Sequence, residues 1–192
     1  MKKQKYVATI IIIGINIVIY CVTCYNMKYL VEFGLNLQDI ISNFEIYRIF
    51  TFMFINDLRG ILLTTVFFSY FGKVFEKKHG TKKLLFSYIF IGATAGIVLL
   101  LLKYKYLHLE IIYDLIRKER IIAGSLVPTT GLIGYQLGEG KNPKAHKIIT
   151  IVFLILSYTT YWNGVYTIHF LDMLVFLAVG FLCYVLKNIL RN

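Results

Sequence analysis

Acidic residues are scarce in this chain. Ten aspartates and glutamates stand against 21 lysines and arginines in 192 residues, a net charge of +11. In a soluble protein that imbalance would suggest a nucleic-acid partner. Here the basic residues sit in short loops between apolar runs, and no basic patch is interleaved with aromatics on a soluble face, so nucleic-acid binding is set aside. Cysteine is also sparse. Cys21, Cys24 and Cys183 do not make a disulfide framework. A single Cys21-Val-Thr-Cys24 pair, with no second pair, reads as small apolar filler at a helix end rather than a zinc or redox centre. No Gly/Ser linker, low-complexity tract or long internal repeat divides the chain, and no motif implies a metal or an organic cofactor.

What the chain has is apolar length. It is 58% hydrophobic with a mean hydropathy of +0.68. Several runs approach the ~20 residues that cross a ~30 Å hydrocarbon core. The expectation is one all-α transmembrane domain over residues 1–192, with six spans near 7–24, 58–74, 84–102, 121–138, 148–161 and 165–186. Residues 25–54 alternate apolar and polar too densely for a floppy loop and are expected to lie in the membrane interface. Residues 73–83 read as a basic hairpin, and the charged stretch 103–120 as a segment outside the bilayer. The start, Met1-Lys2-Lys3-Gln4-Lys5 followed by apolar residues, imitates a signal peptide but lacks a small-x-small cleavage site, so it reads as an uncleaved first span. With six spans, 13 of the 21 basic residues fall on the side of the termini, which predicts cytoplasmic termini. A prokaryotic cell membrane is the expected location.

One span differs from the rest. Residues 121–138, IIAGSLVPTTGLIGYQLG, hold Ser125, Pro128, Thr129, Thr130, Gln136 and glycines at 124, 131, 134 and 138. Facing lipid, such a helix would be costly, whereas ringed by greasier helices it is tolerated, and its small residues let neighbours approach. It is therefore expected at the centre of the bundle. Gly92-x-x-x-Gly96 and Gly134-x-x-x-Gly138 carry the same close-packing signature.

Two ionisable residues lie deep in the last span, His169 and Asp172, three apart and so on one face. A hydroxyl at Thr130, Thr129 or Ser125 on one buried helix and an imidazole on another would be the minimum for a nucleophilic dyad, with Asp172 orienting His169. The plainer alternative is that His169 hydrogen-bonds within the bundle and Asp172 pairs with a basic or polar neighbour.

The order of motifs resembles the rhomboid intramembrane proteases. It runs through Ile15-Asn16-Ile17-Val18, Phe33-Gly34-Leu35 and Tyr47-Arg48-Ile49-Phe50-Thr51-Phe52-Met53-Phe54, the last similar to the family's Trp-Arg loop and Met-Phe-Leu-His run. Tyr70-Phe71-Gly72 follows, with Glu76 and Gly80. Pro128-Thr129-Thr130-Gly131 stands where rhomboids carry Gly-Ala-Ser-Gly, and His169 where they carry the catalytic histidine. The resemblance implies a six-helix bundle with a wet cavity, Thr130 in the nucleophile position and His169 in the base position, facing each other. It also implies that the partners are the bilayer and transmembrane segments of client proteins.

The departures from the family are specific. Threonine replaces serine, and a helical threonine tends to bond back to the carbonyl four residues earlier. Pro128 replaces a glycine and is expected to hold Val127 extended. The two oxyanion positions of the family fall on Ile61 and Thr65, of which Ile61 cannot donate. The family's aromatic after the nucleophile falls on Gly134, with Tyr135 displaced by one. Its close-packing glycines after the histidine become Asp172 and Phe176, which predicts a wider gap between the fourth and sixth spans. These losses favour a degenerate protease that engages client helices. The alternatives are an active endopeptidase with a Thr130/His169 dyad, and a small transporter or scaffold using Asp172 and His169.

Overall fold

The computed structural model describes residues 6–26, 28–107, 124, 126–140, 144–161 and 170–190. Among these residues there are helices and no strand. In chain order they are α1 (Val7–Tyr25), α2 (Lys28–Phe33), α3 (Leu37–Asn43), α4 (Arg48–Thr51) running into a 3-10 turn (Phe52–Phe54), α5 (Leu58–His79), α6 (Thr81–Leu107), α7 (Leu126–Gly138), α8 (Lys144–Tyr161) and α9 (Phe170–Ile189). Three regions, Val7–Tyr25, Leu58–His79 and Thr81–Leu101, are long and apolar enough to cross a membrane.

Several boundaries correct the sequence expectation. The basic stretch 73–83 is mostly helix, with the reversal confined to Gly80. Lys77, Lys78 and His79 complete the last turn of α5, where positive charge suits the helix C-terminus, and the chain reverses at Gly80, with φ +86°. α6 runs past 102, so Lys103 and Lys105 continue that helix beyond the apolar region that ends at Leu101. α8 starts at Lys144 rather than 148. Residues 108–123, and with them most of the charged stretch 103–120, lie outside the described residues, as do 165–169 at the start of the expected last span.

The central helix is shorter than expected. Gly124 has φ +151° and is not helical, and its N–H donates to Phe52 O at 3.0 Å. The 13 residues of α7 span roughly 20 Å at 1.5 Å per residue, less than the hydrocarbon core. Its N-terminus therefore starts within the depth of the bundle, tied to the 3-10 turn. Val127 is helical, not extended. Pro128 lies in the first turn, where its missing N–H and fixed φ are tolerated.

Apolar residues line the outside of the bundle as well as its core. Every residue of α7 from Leu126 through Gln136 is buried, polar ones included. α1, almost wholly apolar, buries only the stripe Ala8, Thr9, Ile12, Asn16 and Thr23 and leaves Ile10, Ile11, Val18 and Val22 exposed. With lipid as the solvent, apolar faces carry no penalty outside, and polar or small residues are the ones that gain from a protein neighbour.

Glycines set the closest contacts. A Cβ on Gly180 would lie 1.7 Å from Gly131 O, and one on Gly134 would lie 2.1 Å from Leu177 O. α7 and α9 thus meet backbone to backbone. The expected wider gap is overturned because Gly180, one turn beyond Phe176, restores the close approach. Gly92 and Gly96 of α6 instead receive side chains of the loop: added Cβ atoms would meet Met53 Cε and Phe52 Cε1, each at 2.9 Å.

Polar ties fix α1 to the bundle. The buried Glu76 carboxylate accepts from Ala8 N at 2.9 Å, Thr9 N at 3.0 Å and Thr9 Oγ1 at 2.7 Å, and from Thr81 Oγ1 at 2.8 Å. Two of these donors are first-turn amides of α1 that no helical carbonyl can satisfy. Glu76→Gln, which loses the charge and half of the acceptor capacity, is expected to cost about 2 kcal/mol. Thermal unfolding of the purified protein in detergent checks this, and an unchanged Tm would count against the tie. Further along α1, Asn16 Nδ2 donates to Ile12 O, and Asn16 Oδ1 accepts from Asn56 Nδ2 at 3.2 Å.

Candidate functional site

The centre of the site is Thr130, placed by α7. The residue is 0% exposed, and its Oγ1 donates to Leu126 O at 2.6 Å, the back-bond that a helical threonine favours. A nucleophilic hydroxyl must pass its proton to a base as it attacks. Here that proton is directed along the helix's own backbone. Thr129 is equally buried.

The other proposed members divide between described and undescribed residues. Ser125 and His169 lie outside the described residues, and Asp172 belongs to α9 with its side chain outside them. On α5 the interior stripe runs through Gly60, Ile61, Thr64, Phe67, Phe68, Phe71 and Phe75. Ile61, the first position aligned with an oxyanion donor, is buried at 5% exposure. Thr65, the second, is only half-buried, and its neighbour Thr64 takes the interior place. The choice between adjacent threonines depends on the rotation of the helix, which spacing from Ile61 alone does not settle.

Tyr135 points to the other end. Its ring lies 5.4 Å from that of Phe75 and 5.5 Å from that of Tyr184, and its hydroxyl accepts from Lys187 Nζ at 2.6 Å. Nearby, Lys78 Nζ donates to Glu139 Oε2 at 2.7 Å. His79 Nε2 is 2.8 Å from the second oxygen, close enough for attraction but not aligned as a hydrogen bond. Tyr135 is thus part of a polar latch joining the ends of α5, α7 and α9, nine residues and about two and a half turns past Leu126, where α7 begins.

The first loop is built around Arg48, which is buried at 5% exposure. Its Nη1 donates to Val31 O at 2.6 Å and Gly34 O at 2.9 Å, its Nη2 meets Asp39 Oδ2 at 3.0 Å, and its Nε donates to Glu45 Oε2. Thr51 Oγ1 adds a bond to Phe33 O at 2.8 Å, and the Tyr47 ring meets Phe33 edge-on at 6.2 Å. The guanidinium fork thereby joins α2, α3 and α4 into one unit. The arginine-stapled loop, the 3-10 turn that accepts from Gly124, and α7 with Thr130 follow the chain order of the motif series read from the sequence.

A family model described as Rhomboid domain matches residues 43–188. The chain belongs to the rhomboid family. No curated protein matches it. It is an integral membrane protein with the all-α bundle of rhomboids, and Tyr47, Arg48, Thr130, Gly131, Gly134 and Gly138 all fall within the matched region. α1 precedes that region but is bonded into the bundle through Glu76.

Sequence reading missed four residues that organise this rhomboid. Asp39 and Glu45, the partners of Arg48, had a partial signal: Glu45 stands three residues before the arginine, but Asp39 is reached only through the fold. Asn56 bonds Asn16 across 40 residues, and Gly180 was not singled out at all. Local spacing carries no trace of either contact.

Proposed function

We propose that this rhomboid holds transmembrane segments of client proteins without cleaving them. The observation that carries the reading is the Thr130 hydroxyl, fully buried and donating to Leu126 O at 2.6 Å. Two further features support it. Ile61 has no hydrogen to offer a developing oxyanion, a loss typically worth ~10²–10³ in rate. Tyr135 is engaged with Lys187 at the far end of α7. We further propose that residues 1–192 act as one domain with both termini cytoplasmic.

Clients would enter along the seam between α5 and α8. It is closed by ring contacts of Phe67 with Phe153 at 4.9 Å and Phe71 with His146 at 4.9 Å. The outer side of α8 presents Ile148, Ile151 and Ile155 to lipid. In proteoliposomes containing a transmembrane substrate, the wild-type protein is expected to yield no product above the level of Thr130→Ala and His169→Ala. A photoreactive phenylalanine at position 153 is expected to crosslink the substrate helix. Cleavage that disappears in both variants would establish the Thr130/His169 endopeptidase instead. Proton-coupled uptake abolished by Asp172→Asn would establish the transporter.

A further inference from the structure

One end of the bundle concentrates positive charge beyond what its carboxylates can neutralise. α5 ends there, α6 and α8 begin there, and α7 and α9 end there. Its two described carboxylates are already engaged, Glu76 with the starts of α1 and α6 and Glu139 with Lys78 and His79. Lys82, Lys144 and Lys147 are exposed, and among the described residues no carboxylate pairs with them. They also stand in the first turns of α6 and α8, which contain no acidic residue. Positive side chains there oppose the helix dipole. The arrangement is mildly unfavourable, and an anion beside it would offset the cost.

Register points to lipid rather than a soluble ion as that anion. Residues four apart share a helix face. Lys82 is followed on its face by Phe86 and Phe90, which are 67% and 50% exposed. Lys144 is followed by Ile148 and Val152, and Lys147 by Ile151 and Ile155, all exposed apolar residues. Each ammonium group therefore sits one turn beyond a lipid-facing stripe, at the level where headgroups lie and where long basic side chains reach outward. A lysine acting only as a topology signal needs no such alignment.

We propose that Lys82 at the start of α6, and Lys144 with Lys147 at the start of α8, each hold anionic phospholipid headgroups, and that these lipids brace the two helices at the basic end of the bundle. The proposal does not depend on whether the protein cleaves its clients.

The test is thermal unfolding of the full chain in nanodiscs of phosphatidylcholine alone or with about one-third phosphatidylglycerol. The wild type is expected to gain roughly 5 °C in Tm with the anionic lipid. The gain should vanish in the triple variant Lys82→Gln, Lys144→Gln, Lys147→Gln, with Tm in pure phosphatidylcholine unchanged. If the variant does not fold, the wild type is measured at 1 M NaCl, where a Debye length of about 3 Å should erase the gain. Equal Tm in the two wild-type nanodiscs, or a gain that survives substitution or salt, overturns the proposal. The same gain from soluble glycerol phosphate in neutral nanodiscs overturns its assignment to lipid.

Discussion

Gly180→Ala is expected to unfold the protein or to lower its stability by about 4 kcal/mol or more, the range where only a specific structural clash operates. The added Cβ would stand 1.7 Å from Gly131 O. Ordinary contact needs roughly 3.2 Å, and the obstructing atom is backbone, so no rotamer change relieves it. α7 and α9 would have to separate, and that would also undo the contact of Gly134 with Leu177 O. Gly14→Ala is the control. It has no atom within 4 Å of the added Cβ, and alanine in a helix interior is neutral to stabilising by up to ~1 kcal/mol. Chemical or thermal unfolding in detergent separates the two variants. A wild-type Tm for Gly180→Ala would mean that the two helices do not meet backbone to backbone.

Arg48→Ala should have the second largest effect. Removing the guanidinium leaves Val31 O, Gly34 O, Asp39 and Glu45 without their shared donor. Losing it costs about 3 kcal/mol, since the two carbonyls are left without a donor while the partly exposed carboxylates turn to water. Lysine should not rescue it, because a point charge with three donors cannot reproduce a planar fork serving four acceptors. Limited proteolysis should find the loop opened at 28–51 while α5 stays protected. Uniform protection in Arg48→Ala would show that the loop is held by its apolar contacts instead.

The same cluster gives a pH dependence. The hydrogen bond from Arg48, followed by its charge, holds the Glu45 carboxyl below its ordinary pKa against the opposing effect of burial. A carboxylate with a lowered folded pKa contributes stability that is complete above the unfolded pKa and is lost as pH falls through the folded value. Loop protection should therefore be flat from neutral pH down to the ordinary carboxylate range and decline only below it. In Arg48→Ala this acid dependence should be largely gone.

Much of the architecture is legible in the sequence. The polarity of residues 121–138 against their greasier neighbours predicted a buried central helix, and Leu126–Gln136 is buried on all sides. The Tyr47-Arg48 pair and Glu76 lay in the motif series and both prove to hold elements together. The ends of helices were harder to read. In the sequence Lys77, Lys78 and His79 read as loop because charge marks the end of an apolar run, whereas a helix C-terminus at a membrane surface welcomes them. The close approach of α7 and α9 is hidden in the sequence because the glycine that allows it, Gly180, stands one turn beyond the expected position.

Composition and order determined that this is a helical membrane protein of the rhomboid family with its most polar span inside. Those properties are sums over many residues, and the bilayer enforces them whatever the packing details. Only the tertiary structure decided that the Thr130 proton rests on Leu126 O, that Thr64 rather than Thr65 faces inward on α5, and that Tyr135 turns toward Lys187. Each of these depends on the rotation of a helix by a fraction of a turn and on distances of a few tenths of an ångström. The contacts of residues far away in the chain set those quantities.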